Sequence, residues 1–195
     1  MPLEIEAKYK VESFAVVEKA LAAAGAVFLC TCRETDQFFD TRSHGLRRRD
    51  SGLRLRTVKV IRRGKNHMRR ATDLQGIAGL CEERPMLTFK GPRDKRSSIK
   101  IRQEIQTHVY EAAAVAEILT QLGYQPALIV RKTRSSYRLG RCRVELDLLP
   151  GIGKFVEVEG PGERAVRDCC RLLGLSGKPI TTPYVAMVAQ RAAAR

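Results

Sequence analysis

A two-residue rhythm constrains this 195-residue chain more than any other feature. Glu4-Ile5-Glu6-Ala7-Lys8 alternates charged and apolar side chains, and on an extended backbone residues i and i+2 share a face. The habit returns along the chain. Arg54 and Arg56 alternate with Leu53 and Leu55, Arg102 and Glu104 with Ile101 and Ile105, Glu145 and Asp147 with Val144 and Leu146, and Glu157 and Glu159 with Val156 and Val158. Lys90 follows Phe89, and Lys132 and Arg134 stand two apart. One such strand alone ordinarily has a solvated outer face. Many of them, accompanied by helices that need an apolar surface to cover, point instead to a sheet closed on itself, apolar side outward and charged side inward. Facing acids and bases in such a lumen are costly unless it is wet and filled by a ligand.

Switching between the period-2 and period-3.6 templates divides the chain. Strands are expected over Leu3 to Val11, Asp36 to Asp40, Gly52 to Val60, Pro85 to Lys90, Ile99 to Thr107, Ala127 to Lys132, Ser135 to Leu139, Cys142 to Leu149 and Lys154 to Glu159. Helices are expected over Phe14 to Ala24, Tyr110 to Leu122, Glu163 to Leu173 and Tyr184 to Ala194, the first three stopped by Gly25, Gly123 and Gly174. Residues 59–84 break the rhythm with many Arg and Lys and are read as a basic loop insertion, a surface loop or a lid, within one domain spanning 1–195.

Lys plus Arg number 36 against 21 Asp plus Glu, a net charge of +15, so an anionic partner is expected. No run of about 18 apolar residues and no signal-like leader is present, which predicts a cytoplasmic protein without a membrane span. The six cysteines, at 30, 32, 81, 142, 169 and 170, lack zinc spacing, and reduced thiols are expected rather than a disulfide framework. His44, His67 and His108 stand apart. Tyr137 and Tyr184 are candidates for stacking or for packing, and the Ala-rich 186–194 segment for a helix that docks on the barrel or on a second subunit of a homodimer.

Six ordered motifs carry a family likeness: E-x-E-x-K at Glu4, Glu6 and Lys8, L-R-L-R at 53–56, T-F-K-G-P at 88–92, R-K-x-R at 131–134, E-L-D at 145–147 and G-x-F-V-E-V-E at 153–159. Together they resemble the CYTH superfamily, the triphosphate tunnel metalloenzymes. The run from Leu122 to Phe155 and the late Pro183-Tyr184 are most similar to its class IV adenylyl cyclase branch. The resemblance implies an α+β fold built on a closed eight-stranded antiparallel barrel, a tunnel with a polar lumen and helices packed outside.

It also implies a triphosphate substrate and Mg2+ or Mn2+. A triphosphate carries about four negative charges, and guanidinium forks match its oxygens in pairs while Lys acts as a point charge. Lys8, Arg54, Arg56, Lys90, Lys132 and Arg134 would form the cradle. Carboxylates beside phosphate repel it unless a cation lies between, so Glu4, Glu6, Glu157 and Glu159 are the expected metal ligands. Glu4, Glu6, Lys8 and Asp147 are the catalytic candidates, and Glu104 and Glu145 stand second, as tunnel acids or structural ion pairs. Conversion of ATP to cyclic AMP and pyrophosphate is the reading closest to the resemblance. Tripolyphosphatase or thiamine triphosphatase chemistry uses the same parts, and a non-enzymatic nucleic-acid binder, supported by the charge and by Arg47-Arg48-Arg49, is the alternative of another class.

Overall fold

The computed structural model describes residues 3–64 and 82–194. In chain order the elements are β1 (Leu3–Val11), α1 (Ala15–Ala23), β2 (Val27–Thr41), α2 (Gly45–Arg48), β3 (Gly52–Arg63), β4 (Met86–Arg93), β5 (Lys100–His108), α3 (Ala112–Gln121), β6 (Tyr124–Leu139), β7 (Cys142–Leu149), β8 (Gly153–Glu159), α4 (Glu163–Leu172) and α5 (Tyr184–Ala193). The eight strands close antiparallel in the order β1-β5-β4-β3-β2-β6-β7-β8. Closure leaves no open sheet edge, and it gives every strand one face toward the lumen and one toward the helices.

The outward face is apolar, as the alternation requires. Val17 and Leu21 of α1 and Val166, Cys169 and Cys170 of α4 pack on Ala7, Val144, Leu146, Val156 and Val158, the odd-numbered set of β1 and its even-numbered counterpart on β7 and β8. Leu119 of α3 covers Phe39 of β2 and Leu55 of β3. Gly123, at φ 86°, lets the chain leave α3 in a left-handed turn that a side chain would disfavour. Gly151, at φ 70°, does the same in the turn that returns β7 to β8.

The structure departs from the sequence reading in several places, among them the short helix α2, which was not expected. Ala127 to Lys132 and Ser135 to Leu139 are one strand, β6, because the alternation continues through Thr133 and Arg134. β2 begins at Val27 rather than Asp36, and its inward column includes Cys32 and Glu34. The expected insertion at 59–84 is corrected at its start: Lys59 to Arg63 complete β3, paired with Arg33 to Cys30 of β2. Of its remainder, 65–81 lies outside the described residues. Cys30 is disulfide-bonded, which corrects the expectation of reduced thiols there, whereas Cys32, Cys142, Cys169 and Cys170 are free. The Arg47-Arg48-Arg49 run forms an exposed single turn, α2 and its cap, at the rim of the barrel. Among the described residues no helix is long and apolar enough to cross a membrane.

Leu21 is 1% exposed beneath α1, while Val16 on the same helix is 73% exposed. Leu21→Ala is therefore expected to cost about 3 kcal/mol in urea unfolding through lost burial and the cavity left behind, and Val16→Ala under about 0.5 kcal/mol. Equal losses would contradict the packing of α1 on the outside of the sheet.

Candidate functional site

The barrel interior encloses a cavity of about 580 Å³, a size usual for a small-molecule site. Strand register decides which charges meet in it. β2 sets Glu34 opposite Lys132 of β6 and Asp36 opposite Arg56 of β3. β6 sets Arg134 opposite Asp147 of β7, β4 sets Lys90 opposite Glu104 of β5, and β1 sets Glu6 opposite Lys100 of β5. Each of these pairings joins an acid to a base.

The contacts follow the register. Arg56 forks onto Asp36 at 2.6 and 2.8 Å and reaches Glu34 at 2.9 Å. Arg134 forks onto Asp147 at 2.6 and 2.5 Å and donates to Glu157 at 2.6 Å. Lys90 bridges Glu4 at 2.6 Å and Glu104 at 2.7 Å, and Lys100 bridges Glu6 at 2.6 Å and Glu4 at 3.1 Å. Arg143 holds both Glu145 and Glu159. Arg54 lies 3.8 Å from Asp36 and donates to the Thr88 hydroxyl at 3.2 Å.

Two register pairs set acid against acid, and both lie on the β1-β8-β7 wall. Glu6 faces Glu159, and Glu145 faces Glu157. Like charges directly opposite one another are destabilising. Burial raises Glu6 to about 7, with Lys100 opposing and Glu4 and Glu157 reinforcing the rise. Burial likewise raises Glu145, against Arg134 and Arg143. On the opposite wall the balance reverses: burial would raise Glu34, but Arg56, Lys132 and Arg134 outweigh it and hold the carboxyl at about 2. Asp36 is held low in the same way by Arg56, and on the acid wall Glu157 is held low chiefly by Arg134, which reaches it from β6.

The acids Glu4, Glu6, Glu104, Glu145, Glu157 and Glu159 all line the cavity, as do the bases Lys8, Arg54, Arg56, Lys90, Lys132 and Arg134. Asp147 does not. It is 0% exposed behind Lys132 and Arg134 and accepts from both. Glu34, Asp36, Lys100, Arg102 and Arg143 also line the cavity and were absent from the expected set. Their signal was the same parity rule, in Cys32-x-Glu34-x-Asp36 and Lys100-x-Arg102-x-Glu104. Tyr137 packs edge-on against Phe28, whereas Tyr184 enters the cavity wall.

Among the described residues, the interior ion-pair network joins nine carboxylates to eight cations. Its bases are already matched, so a polyphosphate entering alone would add about four negative charges to a lumen that has no cation in excess. The acid wall supplies hard oxygen donors, the chemistry that suits a divalent ion of the Mg2+ class. Glu4 Oε2 and Glu145 Oε1 are buried without a hydrogen-bond partner, although each faces a cation. The donor set thus fits such an ion, but the four expected ligands are not gathered around one centre: Lys100 reaches between Glu4 and Glu6, and the described residues contain no group of three candidate ligands at metal-binding spacing.

A family model for the CYTH domain matches residues 2–167. The adenylate cyclase CyaB of Aeromonas hydrophila is 30% identical over 156 residues, which cover 80% of this chain and 67% of that protein. A solved structure from Vibrio parahaemolyticus superposes with a TM-score of 0.74 at 19% identity, covering 96% of this chain and 98% of its own. The Hippeastrum protein HpAC1, described as having a dominant triphosphatase activity, superposes with a TM-score of 0.68 at 16% identity, covering 96% of each chain. These structures share the fold, and the matched residues include every strand of the tunnel; the chain belongs to the CYTH domain family.

Proposed function

We propose that this protein is a divalent-metal-dependent enzyme acting on a triphosphate in its tunnel, as an adenylyl cyclase that converts ATP to cyclic AMP and pyrophosphate. The observation that carries the reading is the split lumen. One wall is rich in guanidinium and ammonium groups around Glu34 and Asp36, and the other is rich in acids and sets carboxylate opposite carboxylate at Glu6 with Glu159 and Glu145 with Glu157. A phosphate chain sharing the lumen with a divalent cation satisfies both walls at once.

In this reading Glu4, Glu6, Glu157 and Glu159 would hold Mg2+ or Mn2+, which when bound polarises phosphate oxygens and lowers the pKa of a hydroxyl or water beside it. Lys100 would have to withdraw from Glu4 and Glu6 toward the phosphates. Arg54, Arg56 and Lys90 bind phosphate oxygens from the β3-β4 side, and Lys8, Lys132 and Arg134 do so from the β1 and β6 sides. Asp147 fixes the last two so that no reorganisation is needed as negative charge develops on the departing group. In the cyclase reaction the ribose 3′-hydroxyl attacks the α-phosphorus and pyrophosphate leaves.

Triphosphate hydrolysis is the second reading, with water attacking the terminal phosphorus in the same cradle. Two observations favour the nucleotide. CyaB is the relative at 30% identity, and the cavity lining turns apolar at Phe38, Leu128, Val185 and Ala189, a surface that a nucleobase can cover and an inorganic polyphosphate cannot. The nucleic-acid reading leaves the buried acid wall unexplained.

Incubation with ATP and Mn2+ is expected to yield cyclic AMP and pyrophosphate; ADP with orthophosphate would select the hydrolase, and nucleic-acid affinity without turnover would select the binder. Glu4→Gln with Glu6→Gln should lower metal-dependent turnover at least about 100-fold with cooperative unfolding retained. Arg54→Ala is expected to weaken tripolyphosphate binding roughly tenfold more than orthophosphate binding, measured by calorimetry.

The base wall also sets an acid limit. Glu34 faces Arg56, Lys132 and Arg134, with Asp36 beside it, and its folded carboxyl at about 2 lies below the ordinary 4.5 of the unfolded chain. The unfolded chain therefore takes up its proton first as pH falls, and this stabilisation, complete above pH 4.5, is lost as pH falls toward 2. Glu34→Gln should be less stable than wild type by about 3 kcal/mol at pH 7, and the gap in urea unfolding should close through that window. A gap independent of pH would contradict the ion-paired state of Glu34.

A further inference from the structure

The family match ends at residue 167, yet one end of the tunnel is closed by chain that follows it. Val130, Leu149 and Phe155 turn the lumen apolar there, and Ile180, Tyr184, Val185 and Val188 pack on them. The backbone of this segment is tied to the cradle itself: Ile180 N donates to Lys8 O at 2.7 Å, and Lys8 Nζ donates to Thr182 O at 2.6 Å.

Tyr184 stands where the apolar floor meets the charged lumen. Its ring lies edge-on to Phe155, with centroids 5.2 Å apart, and presents its π system to two cradle cations, Lys8 Nζ at 4.2 Å and Lys132 Nζ at 5.0 Å from the centroid. The ring thus holds both ammonium groups by cation–π attraction. Its hydroxyl is buried and has no hydrogen-bond partner. Glu157, Asp147, Arg134 and Glu6 act on it electrostatically, and none of them bonds it. A buried hydroxyl without a partner is costly, and buried tyrosines ordinarily find one. Here the ring borders the cavity that Lys8 and Lys132 line together with Glu6 and Glu157.

We propose that Tyr184 is a substrate-binding residue contributed by α5, donating its hydroxyl proton in a hydrogen bond to a phosphoryl oxygen at the closed end of the tunnel while its ring positions Lys8 and Lys132 against the same phosphate. This rests on the triphosphate reading above and adds to it a contact from outside the family-matched region. A neutral donor suits this place. A third cation there would repel the two ammonium groups, whereas a phenol adds a hydrogen bond without charge.

The test separates hydroxyl from ring and both from the parent reading. Wild type, Tyr184→Phe and Tyr184→Leu are titrated by calorimetry with imidotriphosphate and Mg2+, and melted without ligand. Tyr184→Phe, which keeps the ring, should bind about tenfold more weakly, a loss of ~1.4 kcal/mol, and melt no lower than wild type because an unpaired buried hydroxyl has been removed. Tyr184→Leu should bind more weakly still, as Lys8 and Lys132 lose their platform. Binding by Tyr184→Phe equal to wild type, or a lower melting temperature for it without ligand, overturns the inference while leaving the triphosphate reading intact. Absence of binding by wild type sinks the triphosphate reading, and this inference with it.

Discussion

Compensation of buried charge inside a closed barrel is the constraint on which this structure depends. Taking a carboxylate or an ammonium out of water costs several kcal/mol, and that cost is met only where an opposite charge and further hydrogen bonds stand at contact distance. The register meets this condition strand by strand, as with Glu34 and Lys132, Asp36 and Arg56, and Lys90 and Glu104. A slip of one residue in any strand would turn its charged column out against the helices and its Val and Leu column into the lumen. Closure forbids such a slip from being absorbed at an edge, because none exists. Fold and charge pattern therefore select one another.

The same compensation changes what net charge means here. Among the described residues the network joins eight cations to nine carboxylates, so the ion-paired lumen contributes no positive surplus to the chain's net charge of +15. The inference from +15 to an anionic ligand speaks of the surface field that an approaching ligand meets. Recognition within the tunnel has another basis, the separation of a base-rich wall from an acid-rich wall in a nearly balanced interior.

Parity made most of the barrel readable without coordinates. β1 and β7 begin and end where the alternation does, and their inward columns follow from it. The misses have a common cause: where polar residues crowd both faces, parity loses contrast. Thr31, Arg33, Thr35 and Gln37 surround Glu34 and Asp36 with polar neighbours, and the first half of β2 consequently read as no element at all. Arg131 and Thr133 beside Lys132 and Arg134 split β6 for the same reason. What parity leaves open at Asp147 is depth: whether an inward side chain reaches the cavity or stops behind its partners depends on side-chain length, and this short side chain lies under the fork of Arg134. Contacts between elements distant in sequence, such as Tyr184 beneath Lys8, leave no periodic trace.

Lys8 joins the two parts of the molecule that periodicity could not connect. Its ammonium is 3% exposed, donates to the Thr182 carbonyl, lies over the Tyr184 ring and stands 3.9 Å from Glu157. Burial lowers its pKa, with Glu157 and Glu6 pulling the other way, so the site gains from any further anion brought to it. A phosphate at the closed end supplies one. Whatever draws the ammonium toward phosphate competes with the bond that docks the 180–184 segment, and whatever seats that segment orients the ammonium. By reciprocity, occupancy of the tunnel and docking of α5 affect each other equally in free energy. The floor of the tunnel is thus thermodynamically part of its binding site, although it follows the residues that the family model matches.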